Sequence, residues 1–117
     1  MTEPPVRWHL CVVDLAPRTG TKPGKRRPCL VVQPPEFGRA GLPSTVVLPL
    51  TTRLAGAGAF PLRVRVPAGT CGLAHDSDVM VDQIMAWDNA LFRDDLGAVP
   101  EAVQDEVRRA LGEFLDL

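Results

Sequence analysis

The chain has 117 residues, a net charge of −1, 45% hydrophobic residues and 23% charged residues. That length suits one domain over residues 1–117, large enough to bury a core without metal or disulfide staples, and the apolar content excludes a disordered chain. No run reaches the roughly 18 apolar residues of a membrane span, and no basic start leads into an apolar stretch as in a secretion signal, so the expected location is the cytoplasm, with no membrane partner.

Residues 8–14 are rich in strand formers and predict a first strand. Residues 15–27 hold two prolines, two glycines and five positive charges, and read as a loop. Residues 28–33 form a short continuous apolar run, as in a strand covered on both faces, which Pro34-Pro35 ends. Residues 36–43 read as a second polar loop. Residues 44–50 predict a third strand, in which Pro49 implies an edge or a bulge because it cannot donate to a ladder. Residues 53–60, with Gly56 and Gly58, read as a mobile connection. Leu62, Val64 and Val66 alternate with Arg63 and Arg65, a strand with one wet, positive face. Residues 67–77 are a turn region, residues 78–86 a fifth strand, and residues 88–92 a short helical turn. From Pro100 the apolar residues Val103, Val107, Ala110, Leu111, Phe114 and Leu115 recur every three or four positions, which marks an amphipathic helix. Pro100 suits its first turn, and Glu101, Asp105 and Glu106 favour the positive end of its dipole. The order predicts a small, mainly antiparallel β sheet or partly open barrel with a C-terminal helix.

Charge is unevenly distributed along the chain. Residues 1–66 carry ten basic and three acidic residues, a net of +7, and residues 67–117 carry three basic and eleven acidic ones, a net of −8. One basic and one acidic face are the reading, unless folding intermixes the halves. A basic face attracts phosphate backbones. The cysteines, Cys11, Cys29 and Cys71, are odd in number and lack CxxC spacing, which argues against a disulfide framework and against zinc. Cys11 and Cys29 read as small buried hydrophobes.

Few residues offer chemistry. His9 lies inside the first strand and reads as structural, and His75, in a loop beside Asp76, either donates to that carboxylate or serves catalysis. Asp76, Asp78 and Asp82 read as acids on the wet face of a strand rather than as a metal site. No nucleophile elbow and no phosphate-binding glycine loop is present. What remains is Arg26-Arg27-Pro28 at the entrance to a buried strand, and Thr51-Thr52-Arg53 at the end of the third. Pro28 biases Arg27 toward an extended backbone. An arginine fork binds phosphate through two hydrogen bonds and can stabilise a phosphorane, but it is a poor general base. The threonine hydroxyls suit a phosphate oxygen or a ribose hydroxyl. By residue type alone, a solvated loop and an ordinary strand end account for these side chains as well.

Read together, these residues resemble the MazF/PemK-type toxins of bacterial toxin–antitoxin modules, which are endoribonucleases. The likeness rests on Val12-Val13-Asp14-Leu15 with Pro17, Gly20-Thr21, and Arg27-Pro28-Cys29-Leu30-Val31-Val32-Gln33. It continues through Pro43-Ser44-Thr45-Val46-Val47, Leu50-Thr51-Thr52-Arg53, Gly72-Leu73, and residues 76–84. These pieces run in order and at family-like spacing over residues 7–115.

The resemblance implies an SH3-like barrel of the PemK/CcdB type with a C-terminal helix, acting as a homodimer without a cofactor or metal. It implies metal-independent cleavage of single-stranded RNA at a short motif, by 2′-hydroxyl attack. It also implies a cognate antitoxin whose acidic, partly disordered segment covers the basic groove. By position Arg27 is similar to the family's catalytic arginine and Thr51 to its catalytic threonine. Lys22, Lys25, Arg26, Thr52 and Arg53 become grips on the RNA. With no Tyr in the chain, Phe37 and Phe60 are the loop aromatics available for base stacking, and Phe37 is the expected one. Three departures from the pattern stand out. Trp8-His9 replaces Gly-Asp, Lys22 replaces a carboxylate, and Met85-Ala86-Trp87 replaces a more polar stretch. The resemblance leaves the general base unassigned. Two rival readings share the fold: a gyrase poison, whose family lacks the Arg-Pro and Thr pair, and a degenerate relative that only binds antitoxin.

Overall fold

The computed structural model describes residues 3–15, 25–56 and 62–117. These form β1 (His9–Asp14), β2 (Arg26–Val31), α1 (Pro35–Arg39), β3 (Ser44–Thr51), β4 (Arg63–Val66), β5 (Ser77–Met80), β6 (Met85–Asp88), β7 (Phe92–Ala98) and α2 (Glu101–Leu115). All pairings are antiparallel, in the order β4-β5-β3-β2-β1-β7, with β6 joined to β3. The expected mainly antiparallel architecture with a C-terminal helix is what the chain adopts. No helix among the described residues is long and apolar enough to cross a membrane.

Period-two alternation on the central strands feeds two apolar clusters. Leu10, Leu30, Leu48 and Leu50 point into one, with Val64, Val66, Val79 and Val81, and Val103, Val107 and Ala110 of α2 close over it. Cys11, Val13, Cys29, Val31 and Val47 point the other way, into a second cluster rimmed by Leu15, Met85, Trp87, Leu91 and Phe92. The unbroken apolar run of β2 follows from this, because both of its faces are covered. Burial pushes the Cys11 and Cys29 thiols up to about 12, so neither is a thiolate at neutral pH.

Several elements differ from expectation. The predicted fifth strand is two strands: β5 pairs with Leu50 and Thr51, a 3-10 turn at Val81–Gln83 redirects the chain, and β6 pairs with Ser44–Val47. Nothing in 78–86 punctuates this break, since the turn contains neither Gly nor Pro and is anchored by the fully buried Val81. β7 carries charges and a glycine in place of an apolar pattern, and it is held by its ladder with β1. The loop at 36–43 contains α1. Pro100 caps α2 one residue before its first turn.

The halves of the chain do intermix. Arg63 pairs with Asp82 at 2.9 Å, Arg65 with Asp78 at 2.6 Å, and Arg93 with Asp14 at 3.6 Å. Asp78 is not on a wet face, because its side chain is 2% exposed. It accepts Arg65 Nε with one oxygen and Ala55 N–H, at 2.8 Å, with the other. The segment that follows β3 is thereby clamped to β4 and β5.

The chain's start is tied to its end. Trp8 adopts φ +69°, a region where a bulky side chain is strained. It is held there by Trp8 N–H to Val31 O, by Val99 N–H to Trp8 O, and by the guanidiniums of Arg7 and Arg108, 4.8 and 5.2 Å from its ring. Beside it His9 Nδ1 meets Asp95 at 2.9 Å across the β1–β7 pair. Partial burial raises the Asp95 pKa, but the Gly97 N–H and the His9 ring outweigh this and hold it below its ordinary value.

Two predictions follow from these ties. Asp78→Ala leaves the Ala55 N–H and Arg65 without their acceptor. It should cost about 2 kcal/mol, within the roughly 1.5–3 kcal/mol typical of hydrogen bonds to charged groups, read as a lower urea midpoint. The depressed Asp95 carboxyl stabilises the fold above its unfolded pKa, and that contribution is lost as pH falls through the folded value. Asp95→Asn should therefore be less stable than the parent at neutral pH, with the two melting curves converging below about pH 4.

Candidate active-site cleft

Two prolines shape the cleft. The β2–β3 ladder runs from Val31–Val47 to Cys29–Pro49 and stops. Pro28 and Pro49 stand at that end, and neither has an N–H to donate. Beyond them a side chain bridges the strands: Arg27 Nη1 donates to Leu50 O at 3.3 Å. Arg27 is a strand residue rather than a loop residue, because β2 begins at Arg26 and pairs with β1, Arg26 opposite Asp14 and Arg27 opposite Val13. Continued by two places, the β2–β3 register brings Arg27 opposite Thr51.

Pro49 is buried in a central strand, and the irregularity expected of it lies on the other edge of β3. That edge changes partner, from β6 at Ser44–Val47 to β5 at Leu50–Thr51, and Pro49 falls between the two. The splayed end opens into a cleft of about 180 Å³ lined by Pro28, Leu50, Thr51, Thr52, Leu73 and Ala74, with His75 and Ser77 on the β5 side. Thr51 ends β3. Its Oγ1 accepts the Arg53 N–H at 3.1 Å, a local turn that leaves the hydroxyl proton free to donate. Thr52 and Arg53 are exposed beside it.

The expected site residues are thus gathered in part. Arg27, Thr51, Thr52 and Arg53 share one end of the β2–β3 pair, and the exposed Lys25 and Arg26 lead into it. Among the described residues no carboxylate pairs with Lys25, Arg26, Arg27 or Arg53, unlike Arg63, Arg65 and Arg93. Lys22 lies outside the described residues, as do the rest of 16–24 and Phe60. Phe37 does not join the group within one chain. It is 51% exposed on α1, in the connection at the far end of the β2–β3 pair. Six strand residues at about 3.3 Å each put it roughly 20 Å from Arg27.

His75, open in the sequence to either a hydrogen bond with Asp76 or a catalytic role, stands in the cleft wall. Asp76 Oδ1 instead accepts the Ala68 N–H at 2.8 Å. Cys71 directs its thiol to Gly97 O and Ala98 O, and partial burial, with Asp95 nearby, raises its pKa, so it is no nucleophile here. The described residues hold no group of three or more metal-binding side chains.

Residues 6–115 match the family of PemK-like, MazF-like toxins of type II toxin–antitoxin systems. Endoribonuclease MazF6 of Mycobacterium tuberculosis is 38% identical over 111 residues, which cover 95% of this chain and 96% of the relative. Endoribonuclease EndoA of Bacillus subtilis is 30% identical over 105 residues, 90% of this chain and 89% of the relative. The crystal structure of MazF from Deinococcus radiodurans superposes with a TM-score of 0.78 at 29% identity, covering 99% of this chain and 100% of that one. A MazE–MazF crystal structure from the same organism gives 0.80 at 30% identity, with 97% and 96% covered. The chain belongs to the PemK-like, MazF-like toxins of type II toxin–antitoxin systems.

Proposed function

We propose that this chain is a toxin endoribonuclease that cuts single-stranded RNA at a short motif, with Arg27 and Thr51 carrying the reaction. The observation behind this is the Arg27 bond to Leu50 O beside Thr51, with Leu50 and Thr51 lining a cleft and, among the described residues, no carboxylate paired with Lys25, Arg26, Arg27 or Arg53. The relatives named endoribonucleases support the same reading.

RNA supplies its own nucleophile, the 2′-hydroxyl beside the scissile phosphate. Arg27 turns its fork to the phosphate and stabilises the charge that builds on the phosphorane oxygens. The Thr51 hydroxyl, already accepting from Arg53, donates to a phosphate oxygen and orients it. Lys25, Arg26, Thr52 and Arg53 hold the flanking backbone, so binding weakens steeply with salt. None of these steps needs a metal. The product is a 2′,3′-cyclic phosphate and a free 5′-hydroxyl.

A MazE–MazF complex is known for the Deinococcus relative. An acidic antitoxin segment laid over the same unpaired cations is the matching partner here. A homodimer is supported by the half-buried apolar rim of the second cluster, Met85, Trp87, Leu91 and Phe92. The toxin acts in the cytoplasm, where its RNA is.

The test is cleavage of mixed cellular RNA by the pure protein in EDTA, with the new ends mapped. Cuts at a fixed motif ending in cyclic phosphate are expected. Arg27→Ala should slow cleavage about 100- to 1000-fold and Thr51→Ala by about 100-fold, as when a donor to a developing oxyanion is removed. Parental rates in both variants would remove these residues from the reaction, and no cuts at all by the parent would leave a binding toxin.

A further inference from the structure

Arginine and threonine leave the reaction without a proton acceptor, since neither can take the 2′-hydroxyl proton at neutral pH. We propose that His75 is the general base. This rests on the ribonuclease reading and completes its site.

The placement of His75 carries the argument. β3 lies between β2 and β5. Leu50, Thr51 and His75 line one cleft, His75 from the β5 side, and Arg27 of β2 is fixed next to it by its bond to Leu50 O. A phosphate seated over Thr51 therefore has the His75 imidazole in the same cleft, with Arg27 held at the neighbouring Leu50. The backbone of His75 is anchored, because its carbonyl accepts Ser77 Oγ at 3.2 Å and the next residue, Asp76, is held by Ala68 N–H. Its imidazole is exposed and makes no hydrogen bond among the described residues, so the ring is free to meet a ligand.

The alternatives around it are engaged. The other histidine is bound to Asp95 across β1 and β7. Asp78, on β5, is buried between Arg65 of β4 and Ala55 N–H. Cys71 faces the carbonyls of Gly97 and Ala98. Arg27 bonds to the lining residue Leu50 and Arg53 N–H to the lining residue Thr51, while the acids next to His75 are Asp76 in its own loop and the buried Asp78 opposite Thr51.

The step balances within the RNA and water. The neutral imidazole takes the 2′-hydroxyl proton as O2′ attacks phosphorus. The O2′–P bond forms, the P–O5′ bond breaks, and the departing 5′ oxygen takes a proton from water. The imidazolium then releases its proton to solvent, which restores the base.

Single-turnover cleavage of a short single-stranded RNA carrying the mapped motif, followed from pH 5 to 8.5, tests this. The parent rate should rise with pH over this range, as the rate of a reaction that needs a deprotonated base does. His75→Gln should fold as the parent does, bind the same RNA within a few-fold, and cleave at least about 100-fold more slowly, without that rise. His75→Ala should regain rate on addition of free imidazole, and Arg27→Ala should stay slow yet keep the pH-dependent rise. His75→Gln cleaving within three-fold of the parent, with the parent's pH profile, overturns the role of His75 while the ribonuclease reading stands. A parent that cuts no RNA overturns both.

Discussion

β3 serves three neighbours, and the site depends on where it changes from one to the next. Along one edge it pairs with β2, and along the other it pairs first with β6 and then with β5. Pro49 stands at the change, where a missing N–H costs least, and Pro28 adjoins Pro49's partner, Cys29, at the end of the β2–β3 ladder. A continued ladder would close this end of the sheet. Two residues that cannot donate keep it open, and the guanidinium of Arg27 holds the strands at a fixed separation. Asp78 completes the frame from the far side, by fastening the segment after Thr51 to β4 and β5.

Much of this was legible from the chain alone. The apolar runs of β1, β2 and β3 and the three-and-four spacing of α2 report burial directly, because packing imposes those periods. Arg27-Pro28 and Thr51-Thr52-Arg53 stood out because few residue types suit phosphate chemistry. What escaped was set by partners distant in sequence. β7 has no apolar period, since its order comes from the edge of β1. Asp78 looked solvated because its neighbours alternate, but alternation tells which residues share a face and not whether that face is covered. Phe37 seemed close to Arg27 by sequence, while an antiparallel hairpin sends its connection to the opposite end. Counting charge by halves could not see that Arg63 and Arg65 are matched by Asp82 and Asp78, whereas Arg27 and Arg53 have no carboxylate partner among the described residues. His75 gave no signal beyond its residue type, and only the fold places it beside Thr51.

The Trp8-His9 departure has a structural account. The family's glycine position here has φ +69°, and a tryptophan held there carries strain on the order of 1–3 kcal/mol. Burial of the indole to 8% exposure, and two guanidiniums at about 0.5–2 kcal/mol each, offset it. His9, in place of the family's aspartate, finds its carboxylate on β7 instead. Both changes strengthen the joint between the first strand and the last elements, and neither touches the cleft.

That joint bears on how the protein is made. β2 and β3 form a local hairpin that contains Arg27 and Thr51, and both leave the ribosome early. β1, which flanks β2, gains its second neighbour only when β7 has been synthesised, and Trp8 is covered only when Val99 and Arg108 arrive. Long-range pairings of this kind close late in folding. Arg27 and Thr51 are thus translated before the elements that complete the sheet around β1.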